Sequence, residues 1–208
     1  MDLTINRGPQ TLFPRQRHAC VTDGHRFIYI LGSQFPKAAK EVERYDAVSK
    51  TWAPLPSLIT GGRNLSCCYF KTGQKTEMIW CLSLGEVLQR LKVVEGAAGT
   101  NIWEEVKISK SDNVDIANAK LVESHYRQGL IQLNANEILI FGGESKDKYI
   151  ETKTTFIARV AKDQTSITIH RSADLPKAVL PESPGYVLNS FANFYFADNL
   201  SFVYRFNK

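Results

Sequence analysis

No run of about 18 apolar residues occurs in this chain, so nothing in it reads as a membrane-spanning helix. The opening stretch, MDLTINRGPQTLFPRQ, has neither the basic nor the apolar region of a secretory signal, and a cytoplasmic location is the expectation. No segment sustains apolar residues at i, i+3, i+4 and i+7 between capping residues, so helix content should be low. Cysteine is scarce, and Cys20, Cys67, Cys68 and Cys81 contain no C-x-x-C pair. Neighbouring Cys67 and Cys68 would point to opposite faces of a strand and could not clamp one metal, so all four are expected to be reduced packing thiols.

The remaining chemistry-bearing residues are dispersed. His18, His25, His125 and His170 form no H-E-x-x-H, and Ser124-His125 is not a nucleophile elbow. Gly142-Gly143-Glu144 lacks the Gly-Lys-Ser/Thr of a phosphate loop. Glu95, Glu104, Glu105, Asp112 and Asp115 lack the spacing of a calcium loop. Lys plus Arg number 26 against 21 Asp plus Glu, a mild excess with no basic block, which argues against a nucleic-acid partner. No catalytic, cofactor-binding or metal-binding residue is therefore expected.

What the 208 residues do hold is a supply of aromatics, 11 Phe, 8 Tyr and 3 Trp, which pack well on pleated sheets and favour an all-β class. Strands are expected at 19–22, 27–31, 42–46, 51–54, 65–70, 78–82, 88–93, 102–108, 127–133, 137–141, 154–160, 166–170, 190–197 and 202–206, separated by Pro, Gly and Lys/Asp clusters. Four apolar runs superpose, ending at Gly32, Leu82, Gly142 and Asp198, and a repeat of this length holding four short strands has the spacing of a propeller blade. In the first unit Gly32 lets the chain leave its strand at positive φ. Tyr45 and Trp52 lie seven residues apart around a tight turn, where they can meet across a hairpin.

These residues resemble the kelch repeat family: Arg17-His18, the IYILG run with Gly32, Tyr45-Asp46, Trp52, and the Gly142-Gly143 pair after ILIF. The pattern weakens along the chain. Ser33 replaces a glycine, unit two has Leu82-Ser83 with Trp103, unit three lacks the Tyr and Trp, and unit four has Ala197-Asp198. The resemblance implies an all-β, kelch-type propeller of about four blades, either a complete ring or part of a larger one. A single domain, 1–208, would hold units at about 15–58, 63–108, 125–170 and 189–206, with 1–13 closing the last.

The same resemblance implies a non-enzymatic scaffold that binds protein partners, within a larger assembly such as the cytoskeleton and away from membranes. Its alternatives are a kelch-type oxidase or small-molecule enzyme, and a ubiquitin-ligase adaptor. Trp52 should wedge between blades. Strand direction groups the loops at 33–40, 84–87 and 144–149 with the links at 56–63 and 175–184. The expected docking residues on that face are Phe35 and Tyr149 as aromatic anchors, with Lys37, Arg63, Lys146 and Lys148 around them.

Overall fold

The computed structural model describes residues 8–36, 39–72, 76–83, 87–93, 102–110, 125–145, 148–180, 186–188, 193–197 and 203–207, and among them there is no α-helix. The first sheet is an antiparallel meander of β1 (Ala19–Thr22), β2 (Phe27–Leu31), β3 (Val42–Asp46) and β4 (Thr51–Leu55). The second repeats that order with β5 (Ser66–Lys71), β6 (Glu77–Ser83), β7 (Val87–Val93) and β8 (Trp103–Glu105). Next come β9 (Lys107–Lys110), β10 (His125–Tyr126), β11 (Gly129–Asn134), β12 (Glu137–Phe141), β13 (Glu144–Ser145), β14 (Thr155–Val160) and β15 (Ser166–Arg171). A third sheet has the order β11-β12-β14-β15-β9, and β10 pairs with β13. The fourth is β16 (Tyr186–Leu188), β17 (Asn193–Ala197) and β18 (Val203–Asn207).

The single strand expected over 102–108 is two strands. Val106 is buried and its N–H donates to Leu88 O, which bends the chain after β8. β9 then runs parallel to β15 and extends the third sheet. Of the run expected over 190–197, residues 193–197 form β17 and 190–192 lie outside the described residues, while β16 precedes that run and was not expected.

Sheets one to three stack face to face, and the innermost strands of successive sheets lie side by side: β1 by β5, β5 by β11, β11 by β16. Tyr29, Leu31, Ile79, Cys81 and Trp103 fill the layer between sheets one and two. Phe70, Trp80, Leu82, Ile138 and Phe156 fill the next. The second sheet is therefore covered on both faces, which is why β6 reads as a continuous apolar run rather than an alternation. Cys67 belongs to the first layer and Cys68 to the second, on opposite faces as expected. The cysteines are free, but Cys20 is exposed, so the packing expectation fails for that residue: it sits on the face of β1 turned away from the layer.

Register fixes which residues correspond. The last pair before the loop joining strands two and three is Leu31 with Val42, Leu82 with Leu88, and Phe141 with Thr155, apart from the terminal Ser83–Val87 pair in sheet two. Gly32 thus corresponds to Ser83 and Gly142, one residue later in unit two than the sequence superposition placed it. Tyr45 and Trp52 are cross-strand partners with ring centroids 5.1 Å apart. Their counterparts are Leu91 with Trp103 and Ala158 with Ile169.

The connecting segments repeat as well. Trp103 Nε1 donates to Pro56 O at 2.9 Å, and Trp52 Nε1 donates to Pro9 O at 3.2 Å. Ile59 N donates to the side chain of buried Gln89, and Leu12 N to that of buried Glu43, two residues at the same register position. The stretch from Pro9 to Arg17 therefore lies on sheet one as the link from Pro56 to Asn64 lies on sheet two. This corrects the expected place of Trp52. It is half-buried against Tyr45 and Pro9, while Trp103, 5% exposed, occupies the layer between sheets.

Candidate functional site

The end of the sheets that carries Gly32, Ser83 and Gly142 is built by a set of backbone hydrogen bonds that recurs in sheets one and three. Gly32 N donates to Glu41 O at 3.0 Å and Gly142 N to Thr154 O at 2.9 Å. Ser33 N donates to Gly62 O and Gly143 N to Val179 O. Leu58 N donates to Lys40 O, and Leu175 N to Lys153 O. Gly62 N bonds Ala39 O, and Val179 N bonds Thr152 O. In each case the loop between strands two and three is laced to the link leaving its own sheet, so residues far apart in sequence share one surface. Buried Leu58 and Leu175 anchor the two links.

Glycine is required here for a spatial reason. Gly32 has φ +66°, and a Cβ on it would lie 2.7 Å from Gly62 O and closer still to Leu65 Cδ1. Gly143 has φ +94°, and its Cβ would strike Tyr126 O. In unit one the second position is Ser33, whose Oγ accepts from Gln16 N and Phe35 N. In unit two Ser83 Oγ donates to Thr60 O, and Gln89 Nε2 donates to both, so the link enters sheet two through a satisfied buried network.

The innermost strands β1, β5 and β11 are each preceded, two residues earlier, by a non-glycine residue in the left-handed region: Arg17 at φ 53°, Asn64 at 59° and Arg127 at 56°. Three recurrences of a conformation that costs non-glycine residues energy mark one structural motif used three times. It sets Arg17, Arg63 and Arg127 in corresponding turns at this end. Arg127 Nη1 lies 3.4 Å from Glu144 Oε1. Gln128, beside it, is buried, and its Oε1 has no hydrogen-bond donor.

Of the expected docking residues, Phe35, Arg63, Lys148 and Tyr149 are all exposed at this end. Phe35 belongs to the loop of sheet one, and Lys148 and Tyr149 to that of sheet three. Lys37 and Lys146 lie outside the described residues, as does loop 84–86. Val87, expected in that loop, begins β7. Two exposed apolar side chains on the same loops escaped sequence reading, Ile59 and Ile150. The chain gives little sign of them, since Ile59 follows Leu58 and Ile150 follows Tyr149, and an apolar pair does not show which member is exposed.

His18 immediately precedes β1 and is exposed. Among the described residues no three His, Cys, Asp or Glu side chains are grouped to hold a metal ion, and no helix is long and apolar enough to cross a membrane. Neither a protein-family model nor a curated protein matches this chain.

Proposed function

We propose that this chain is a divergent kelch-type β-propeller module of about four blades that acts without catalysis, docking a protein partner on the loop face. Two four-stranded meanders and a third that β9 extends to five strands, with adjacent innermost strands, plus a three-stranded fourth sheet, support the propeller reading. So does the stretch at 9–17, which lies on sheet one as a blade-to-blade link would. The setting proposed is the cytoplasm, within a large assembly such as the cytoskeleton.

The observation that carries the docking reading is the set of exposed apolar side chains gathered on laced loops. Tyr149 is 73% exposed and Ile150 60%, with Phe35 and Ile59 on the corresponding elements of sheet one. Aromatic anchors held on a rigid rim, with cations beside them, are the composition of binding hot spots. The test is capture of native partners by the immobilised protein and by a Phe35→Ala, Tyr149→Ala variant, with Val48→Ala at the opposite end as control. Loss of partners in the double variant alone is expected. A folded double variant that retains every partner overturns the reading.

A further inference from the structure

We infer that the mouth where the innermost strands begin, on the docking face proposed above, binds a carboxylate-bearing protein segment through Arg17 and Arg63. The inference rests on that docking reading and names the chemistry of its partner.

β1, β5 and β11 are neighbours, and all three start at the loop end, since Ala19 pairs with Leu31, Ser66 with Leu82 and Gly129 with Phe141. The turns preceding them therefore bring Arg17, Arg63 and Arg127 to one end of the molecule. Among the described arginines, Arg15, Arg26, Arg90, Arg127, Arg159 and Arg171 each lie against a carboxylate. Arg44 lies over the Phe27 ring at 4.3 Å. Arg17 and Arg63 have no such partner among the described residues, and both are exposed.

Among the described residues, Glu43 is taken by Arg15, Glu144 lies beside Arg127 and Asp174 pairs with Arg171. Glu41 accepts a long bond from Ser57, and Glu151 stands at the rim. A guanidinium carries a planar fork of donors that fits a carboxylate with two parallel bonds, and two uncommitted forks in corresponding turns call for an anionic ligand.

The apolar side chains on the neighbouring loops decide between kinds of anion, because a nucleic-acid backbone supplies only the charge. Exposed Phe35, Ile59 and Tyr149 on the surrounding loops suit a segment in which acidic residues alternate with apolar ones.

The test is selection of displayed random peptides on the intact protein, followed by affinities of fluorescent synthetic copies. Enrichment of Asp and Glu beside an apolar residue is expected, with binding that weakens as salt rises. Arg17→Ala with Arg63→Ala should weaken the enriched peptide by about tenfold or more, the loss of roughly one charge-assisted contact. Arg17→Lys with Arg63→Lys, which keeps the charge and removes the fork, should fall between. Both side chains are exposed and unbonded among the described residues, so the variants should keep the circular dichroism of the parent.

Three results overturn the inference: no acidic enrichment, unchanged affinity in the folded double alanine variant, or tighter binding of a fluorescent oligothymidylate than of any peptide. If Phe35→Ala, Tyr149→Ala still abolishes capture of native partners in those cases, the docking face stands and only its acidic ligand falls.

Discussion

Arg15 and Glu43 form an ion pair of 2.5 Å in which the two side chains are 3% and 0% exposed. Arg15 also donates to Gly32 O and Glu41 O, and Glu43 accepts from Leu12 N, so the pair ties the N-terminal link to the first sheet and to its glycine loop. Breaking a buried pair leaves the surviving charge without compensation, which outweighs the net worth of the pair itself. Glu43→Ala should cost about 3 to 5 kcal/mol in urea melts. Arg15→Met combined with Glu43→Leu should recover most of that loss. A double variant as unstable as Glu43→Ala would show that the bonds to backbone, and not the stranded charge, dominate.

The two tryptophans at corresponding register positions separate layer packing from surface packing. Trp103→Ala should cost about 3 to 5 kcal/mol, because its ring lies in the core between sheets one and two. Trp52→Ala should cost about 1 to 2 kcal/mol, the range for a half-buried contact with one hydrogen bond. Denaturant melts that rank them in the reverse order would refute the assignment of layers.

Alkaline stability follows from buried acids that hold their protons. Burial pushes the Cys81 thiol up to about 12 from 9.0, raises Cys67 well above 9.0, and moves the Tyr29 phenol from 10.0 to about 12. In the unfolded chain the thiols ionise near 9 while the folded protein keeps them neutral, so above that pH the unfolded state binds fewer protons and stability falls. The contribution is fully present below 9.0 and is lost as pH rises towards 12. Each group adds a slope of about 1.4 kcal/mol per pH unit. Replacing Cys67 and Cys81 by Ala should make the decline between 9.0 and 10.0 shallower, leaving the part due to Cys68 and Cys20, whose thiols burial also raises above 9.0, with Tyr29 joining from 10.0. An unchanged slope in melts across this range would place those thiols in contact with water.

Most strands were legible because their edges carry turn chemistry. Val42–Asp46 ends at the turn before Thr51, and the Tyr45–Trp52 contact follows from the seven-residue spacing. The break at Val106 was missed although the chain carries a sign of it: Glu104-Glu105 interrupts the alternation of WEEVKIS, and there the hydrogen bond to Leu88 O diverts the chain to another sheet. The burial of Glu43 was not legible. VERYD reads as a polar outer strand until Arg15, distant in sequence, supplies the compensating charge. Of the site, the loops and their rings could be read from strand direction. The left-handed turns at Arg17, Asn64 and Arg127 could not, because none of the three is glycine.

Crowding at the loop end can be separated from backbone strain by comparing two glycines. Gly24 has φ +81°, and a Cβ on it would meet nothing within 4 Å, so Gly24→Ala should cost about 1 kcal/mol, the strain of the left-handed conformation alone. Gly143 has φ +94°, and its Cβ would meet Tyr126 O and approach Gln128 Cγ to 2.9 Å. The backbone there is held on both sides, by Gly143 N to Val179 O and Thr152 N to Gly143 O, so it cannot step aside. Gly143→Ala should therefore cost about 3 kcal/mol, strain plus the displaced contact. It should also loosen the 175–179 link, detectable as faster amide exchange at Leu175 and Val179. Equal losses for the two variants, with exchange unchanged, would mean that the third loop yields freely and is not the rigid rim that docking needs.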